Sequence, residues 1–404
     1  MKTPHLVSGL ITLLLLLAVI GAGAYYADSV ESRYVHALAP AWFKQKMEGS
    51  ALARVALRQP DLLPIYGASE LGYPDPYHAN ILFKNYPSGF TVFPIGAAGI
   101  EPIIVLQELA SAAPDLRGKK VVITLSPSFA MVKRSSASAY DGNFSPLHAC
   151  ETTFSTDLSL AWKQAVARRM LEYPQPLTKQ PLIAFALDRL AGGSALDLAE
   201  YYASLPLGKL QCAVVGLQDH WEVLDYIDQQ KGLRPDAPHK AQAINWDSTL
   251  SAAEDHYALA SNNNPFGFEN PIWDQTYGGQ PPTDLNGWDD STFLTFMNNT
   301  QSWGDLDLLL RELQELGADP LIFSAPFNAT YFDYSGISVQ SRQVYYDKLR
   351  ATVRPFHYYL LDFQDHEADK DFLIDDMFHL SSVGWVYYSL TIDAFYHNRL
   401  YVSK

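Results

Sequence analysis

Leu62-Leu63-Pro64-Ile65-Tyr66-Gly67-Ala68-Ser69-Glu70-Leu71 reads as a short apolar strand that breaks at glycine and resumes as a helix. Ser69 then stands at a strand end beside a helix N-terminus, where the peptide dipoles favour negative charge. A hydroxyl in that place suits a nucleophile whose attack develops an oxyanion. The same serine also serves as an N-cap or a plain surface hydroxyl in many proteins.

Working outward, residues 91–95 and 120–125 are β-rich runs separated by a helical stretch at 102–113, which is a βαβ pattern and predicts a parallel sheet. The alternation returns late in the chain. A helix at 306–316 ends at Gly317 and leads to a strand at 321–324; a helix at 338–353, with Ser338 at its N-cap, leads to a strand at 358–362, and a last helix covers 381–395. Between about 133 and 303 the pattern changes to helical segments such as 156–172 and 196–205, joined by polar, proline-rich connections. We read this as a large, mainly helical insertion. Within it, 262–288 is rich in asparagine, glycine, proline and aromatics and reads as a long ordered loop, whose rings either pack the loop or stack on sugars.

The chain of 404 residues is 48% hydrophobic and 18% charged, a globular composition with ample material for one elaborated core. Its net charge of -15 argues against nucleic acid as a partner, because binding phosphates takes clustered lysine and arginine. From Leu6 to Tyr26 no side chain is formally charged, and the run approaches the ~20 residues that span a bilayer. The expectation is an uncleaved anchor over 1–27, a stalk over 28–58 and an extracytoplasmic body over 59–404. A signal peptide cut near Ala22-Gly23-Ala24 is the rival reading. Cys150 and Cys212 are the only cysteines. They have no metal-ligand spacing, and a single bridge and two separate thiols both remain open. No metal or organic cofactor is expected.

A base for Ser69 is sought near the C-terminus, in Asp376-Met377-Phe378-His379, where a carboxylate three residues before an imidazole would fix its tautomer. Spacing alone does not choose this pair, since Asp75-His78 and Asp236-His239 share it. Context does: Asp236-Ala237-Pro238-His239 lies in a polar connection, whereas Asp376 and His379 follow the last strand, where catalytic groups collect in sheet enzymes. Gly96-Ala97-Ala98-Gly99 follows the second strand, and its small residues would admit a backbone N–H to an oxyanion, or simply make a tight turn.

Several blocks in shared order resemble the family of DltD, the D-alanyl-lipoteichoic acid biosynthesis protein: Gly67 to Leu71, the Gly96 to Gly99 turn, Gly118 to Pro127, Pro326-Phe327-Asn328, Tyr331 to Gly336, then Asp376, His379-Leu380 and Gly384-Trp385. The resemblance implies an α/β fold with an SGNH-hydrolase-like parallel sheet flanked by helices, on a cell membrane with a single N-terminal pass. It implies Ser69 as nucleophile, His379 as general base and acid, and Asp376 as orienting carboxylate. It also implies D-alanine ester transfer to a cell-envelope polymer such as teichoic acid, beside a membrane-bound O-acyltransferase and an acyl carrier pathway. The D-alanyl donor it implies would carry an ammonium group, for which Glu70 and Glu101 are the candidate partners, and Asn328 of the fourth block is a further candidate substrate contact. Two departures stand out. Ala68 replaces the first of two serines common in the family, and Ser126-Pro127-Ser128 stands where SGNH hydrolases carry an asparagine, which leaves backbone N–H groups at Ser69 and Gly99 as the oxyanion donors. The same triad would serve an O-acetyltransferase or esterase acting on an exported polysaccharide, and a non-catalytic assembly partner of the O-acyltransferase is the reading from another class.

Overall fold

The computed structural model describes residues 4–131, 136–235, 241–282 and 289–400. Five strands form one parallel sheet: β1 Leu62–Gly67, β2 Thr91–Gly96, β3 Lys120–Leu125, β4 Asp319–Ser324 and β5 Tyr359–Leu361, in the order β2-β1-β3-β4-β5. Strands 1 to 4 are almost wholly buried, as apolar runs covered on both faces must be. The chain steps from β1 out to β2 and then crosses back past β1 to β3. The strand order therefore reverses at β1, and the crevice beyond the carboxyl ends of β1 and β3 is where such sheets bind ligands.

The helix Pro102–Ser111 is buried along its whole length, between the helices Pro146–Phe154 and Ser302–Leu316. Ser302–Leu316 ends at Gly317, whose φ of 67° supplies the left-handed cap expected there. Ser338 and Ser381 cap the helices Val339–Val353 and Ser382–Tyr396 by accepting backbone N–H bonds.

Between β3 and β4 every element among the described residues is a helix. One of them departs from expectation: the stretch at 196–205 is the start of a 35-residue helix, Ala195–Gln229, that runs on through Pro206. Proline forfeits one backbone bond and normally stops a helix. Here packing holds it, because Tyr201, Gly208, Cys212 and Val223 are buried against the body, and a disulfide joins Cys212 to Cys150 on Pro146–Phe154. The stretch 262–282 is ordered and contains the helix Asn270–Tyr277. Its aromatics pack: Phe266, Phe268 and Trp273 form a buried cluster with Tyr277 and Tyr331.

The N-terminal helix Pro4–Leu38 is long and apolar enough to cross a membrane, and its first half is exposed. The segment 28–58, expected as a stalk, packs onto the body instead: Val35, Leu38, Leu52 and Val55 are buried. Lys46 secures the join. Its buried amino group donates to the carbonyls of Ala39 (2.6 Å) and Ala41 (3.1 Å), just past the helix end, and sits over the Phe93 ring of β2.

Candidate active site

Ser69 follows β1 after one residue, Ala68, and the expected helix there is a single 3₁₀ turn, Ser69–Gly72. The N-terminal dipole invoked from sequence is accordingly small. What fixes the turn is Glu70, whose Oε1 accepts the backbone N–H of Ala68 at 2.7 Å. Gly67 and Gly96 end adjacent strands in register, and a Cβ on Gly96 would stand 2.3 Å from the Gly67 carbonyl oxygen. Only glycine lets the two strand ends lie this close. Gly99, at φ 78°, then turns the chain after β2, and Asn143 holds that turn through the Ala98 carbonyl.

The Ser69 hydroxyl lies 2.8 Å from His379 Nε2, across 310 residues of sequence. On the other side of the ring, His379 Nδ1 lies 2.5 Å from Oδ2 of Asp375. The carboxylate is Asp375, not the expected Asp376. The reason is the shape of the loop: Phe378 adopts a left-handed φ of 69°, and its ring is buried against Phe327 and Phe332. The loop thereby folds back on itself, and Asp375 Oδ1 accepts the backbone N–H groups of Met377 and His379. Asp376 bonds to Tyr277 and Tyr331 instead, and burial raises its pKa.

Burial alone would lower the His379 pKa, but the hydrogen bond and charge of Asp375, with Glu70 and Asp376 behind it, outweigh burial and hold the imidazole above its ordinary value. Tyr73 stacks on the ring at 5.3 Å and 19°. Sequence reasoning missed both Tyr73 and Asp375. Tyr73 carried no signal, while Asp375 sat in view next to the carboxylate favoured by spacing.

The remaining candidates are placed as follows. Glu70 is buried, with its pKa raised by desolvation, and one carboxylate oxygen is committed to the Ala68 turn. Glu101 stands at the N-cap position of Pro102–Ser111, just after the Gly99 turn. Asn328 is buried and bonded at both ends of its amide: it donates to the Phe266 carbonyl and accepts the Tyr331 N–H, capping the helix Ala329–Tyr334. These bonds tie the 262–282 stretch to the start of that helix. Asp75 is bonded to Ser382 and the Tyr77 N–H, and His78 caps Ala79–Asn85 against Trp385. The pair Asp236 and His239 lies outside the described residues. Among those residues no cluster of histidine, cysteine, aspartate and glutamate could hold a metal.

A serine hydroxyl, an imidazole and a buried carboxylate thus form one hydrogen-bonded line at the carboxyl edge of a parallel sheet. Comparison with known proteins supplies the lineage. A family profile described as DltD protein matches residues 20–397. The chain belongs to the DltD family. Protein DltD of Bacillus subtilis (strain 168) is 25% identical over 361 residues, covering 89% of this chain and 88% of that one. Protein DltD of Staphylococcus aureus (strain NCTC 8325 / PS 47) is 24% identical over 388 residues, covering 95% and 93%. The family match runs from the apolar N-terminal helix to the end of the helix after His379, so it takes in both halves of the site.

Proposed function

We propose that this chain is a membrane-anchored serine acyltransferase that works in D-alanylation of a cell-envelope polymer such as teichoic acid. DltD homologues are involved in D-alanylation of lipoteichoic acid. The observation that carries the chemistry is the line Ser69, His379, Asp375.

His379 Nε2 takes the Ser69 proton as Oγ bonds to the acyl carbon, and the carbonyl electron pair moves onto oxygen. In this reading the backbone N–H groups of Ser69 and Gly99 are the oxyanion donors. Collapse expels the donor's leaving group, which takes the proton back from the imidazolium. An acceptor hydroxyl then repeats the sequence in reverse and leaves with the acyl group. Asp375 holds the proton on Nδ1 and stabilises the imidazolium throughout.

The anchor would be the N-terminal helix, with the body outside the cytoplasm; the Cys150–Cys212 disulfide supports this, since such bonds persist in oxidising compartments. The partners are a membrane-bound O-acyltransferase and an acyl carrier pathway upstream, and the polymer downstream. The test is labelling of the purified chain with a serine-reactive fluorophosphonate. Labelling that Ser69→Ala abolishes is expected; labelling unchanged in that variant would contradict an activated Ser69.

A further inference from the structure

The long helix Ala195–Gln229 buries one side against the body, and its opposite side carries a second apolar stripe. Leu196, Ala203, Leu207, Leu210, Val214, Leu217 and Trp221 recur at intervals of seven, four and three, so they fall on one helical face. No charge interrupts that face. Its members are exposed, Leu196 at 68% and Trp221 at 70%, apart from Leu210 and Leu217, which are half-buried. A contiguous apolar surface of this kind on a soluble domain marks an interaction site.

Its position indicates the occupant. Leu217 Cδ1 stands 3.2 Å from where a Cβ would project from Gly23 of the N-terminal helix, and Leu217 shares one crevice with Ile20, Ala24 and Tyr25. The stripe is therefore continuous with the apolar surface of the N-terminal helix, at the height where that helix emerges from its uncharged run. Tyr25 and Tyr26 on the N-terminal helix and Trp221 on the long helix are exposed, and tyrosine and tryptophan favour the membrane–water interface.

We propose that this face of the long helix rests in the outer interface of the bilayer, so that the body touches the membrane as well as being tethered to it. The inference rests on the reading of the N-terminal helix as a membrane anchor. Lys209 is the only lysine or arginine on the long helix, while Glu200, Glu222 and Asp225 flank the stripe. The contact is thus driven by apolar burial and needs no anionic lipid. Because Pro4–Leu38 is one unbroken helix whose second half packs on the body, the two contacts together fix the orientation of the site over the membrane.

The test places spin labels on single added cysteines in the full chain, one copy per phosphatidylcholine nanodisc, at Leu207→Cys and Val214→Cys. Leu14→Cys in the N-terminal helix is the lipid reference and Asp347→Cys on the body is the water reference. Oxygen collides with labels in lipid, and a nickel chelate collides with labels in water. Labels at 207 and 214 are expected to favour oxygen, as the label at 14 does. If they follow 347 while 14 stays in lipid, the inference fails and the anchor stands. Shielding of 207 and 214 from both reagents means that protein covers the face, and also overturns it. Nickel access at 14 overturns the anchor reading, and the inference with it. Melting curves matching the wild type confirm that each variant is folded.

Discussion

At the residue scale, the assignment of Asp375 rather than Asp376 separates two variants that differ by one position. Asp375→Asn removes the charge behind His379 and should slow fluorophosphonate labelling of Ser69 by about 10³ to 10⁴-fold, since an imidazole in the wrong tautomer cannot take the serine proton. Asp376→Asn leaves the line intact, and about tenfold or less is expected, from a disturbed tyrosine pair. The pH profile carries a second signature. The base must be neutral, and the His379 pKa is held above its ordinary 6.5, so labelling should rise with pH through a midpoint above that value. In Asp375→Asn the midpoint should fall, because burial then acts without the opposing carboxylate. A midpoint that does not move would separate the imidazole from Asp375. Ser69 and His379 were legible in the sequence because each follows an apolar strand. The choice between neighbouring aspartates was not, since it turns on a left-handed Phe378 held by rings from distant segments.

At the scale of elements, the strands were legible because β1 to β4 are apolar runs bounded by glycine or polar residues. The long helix was not, because local rules end it at Pro206. What carries it further is tertiary: Gly208 lies against the Phe154 ring, where a Cβ would come within 2.4 Å, and the disulfide is one turn beyond. Gly208→Ala should therefore destabilise the fold by about 1–3 kcal/mol through overpacking, even though alanine is the better helix former. Reducing the Cys150–Cys212 bond should cost about 2–4 kcal/mol. Thermal melts of wild type with and without reductant, and of the variant, measure both; a stabilised Gly208→Ala would mean that the two helices do not meet there.

At the scale of the whole molecule, the body holds carboxyl groups deep in its core. Glu108 on the fully buried helix Pro102–Ser111 has its pKa pushed up to about 8 by desolvation, and one oxygen has no hydrogen-bond partner. A group whose folded pKa is raised contributes stability below its unfolded value, near 4.5, and loses it as pH climbs through about 8. Urea unfolding should accordingly show Glu108→Gln gaining on the wild type between pH 5 and pH 8, by an amount on the order of a few kcal/mol. A constant difference across that range would mean that Glu108 is not held neutral. The sequence indicated an acidic protein, but not that Glu108 is buried, which only the packing of Pro146–Phe154 and Ser302–Leu316 against Pro102–Ser111 reveals. Likewise 28–58 reads as a stalk, yet its Val35, Leu38 and Val55 are buried, and the helix Ala51–Arg58 packs on β1 and on the N-terminal helix.

The most direct measurement is the D-alanine ester content of the envelope polymer in cells whose only copy of this protein is Ser69→Ala, expressed at the wild-type level. With Ser69 as the nucleophile, the esters should fall to the level of cells lacking the protein. Esters at the wild-type level would contradict the catalytic role and leave the chain an assembly partner.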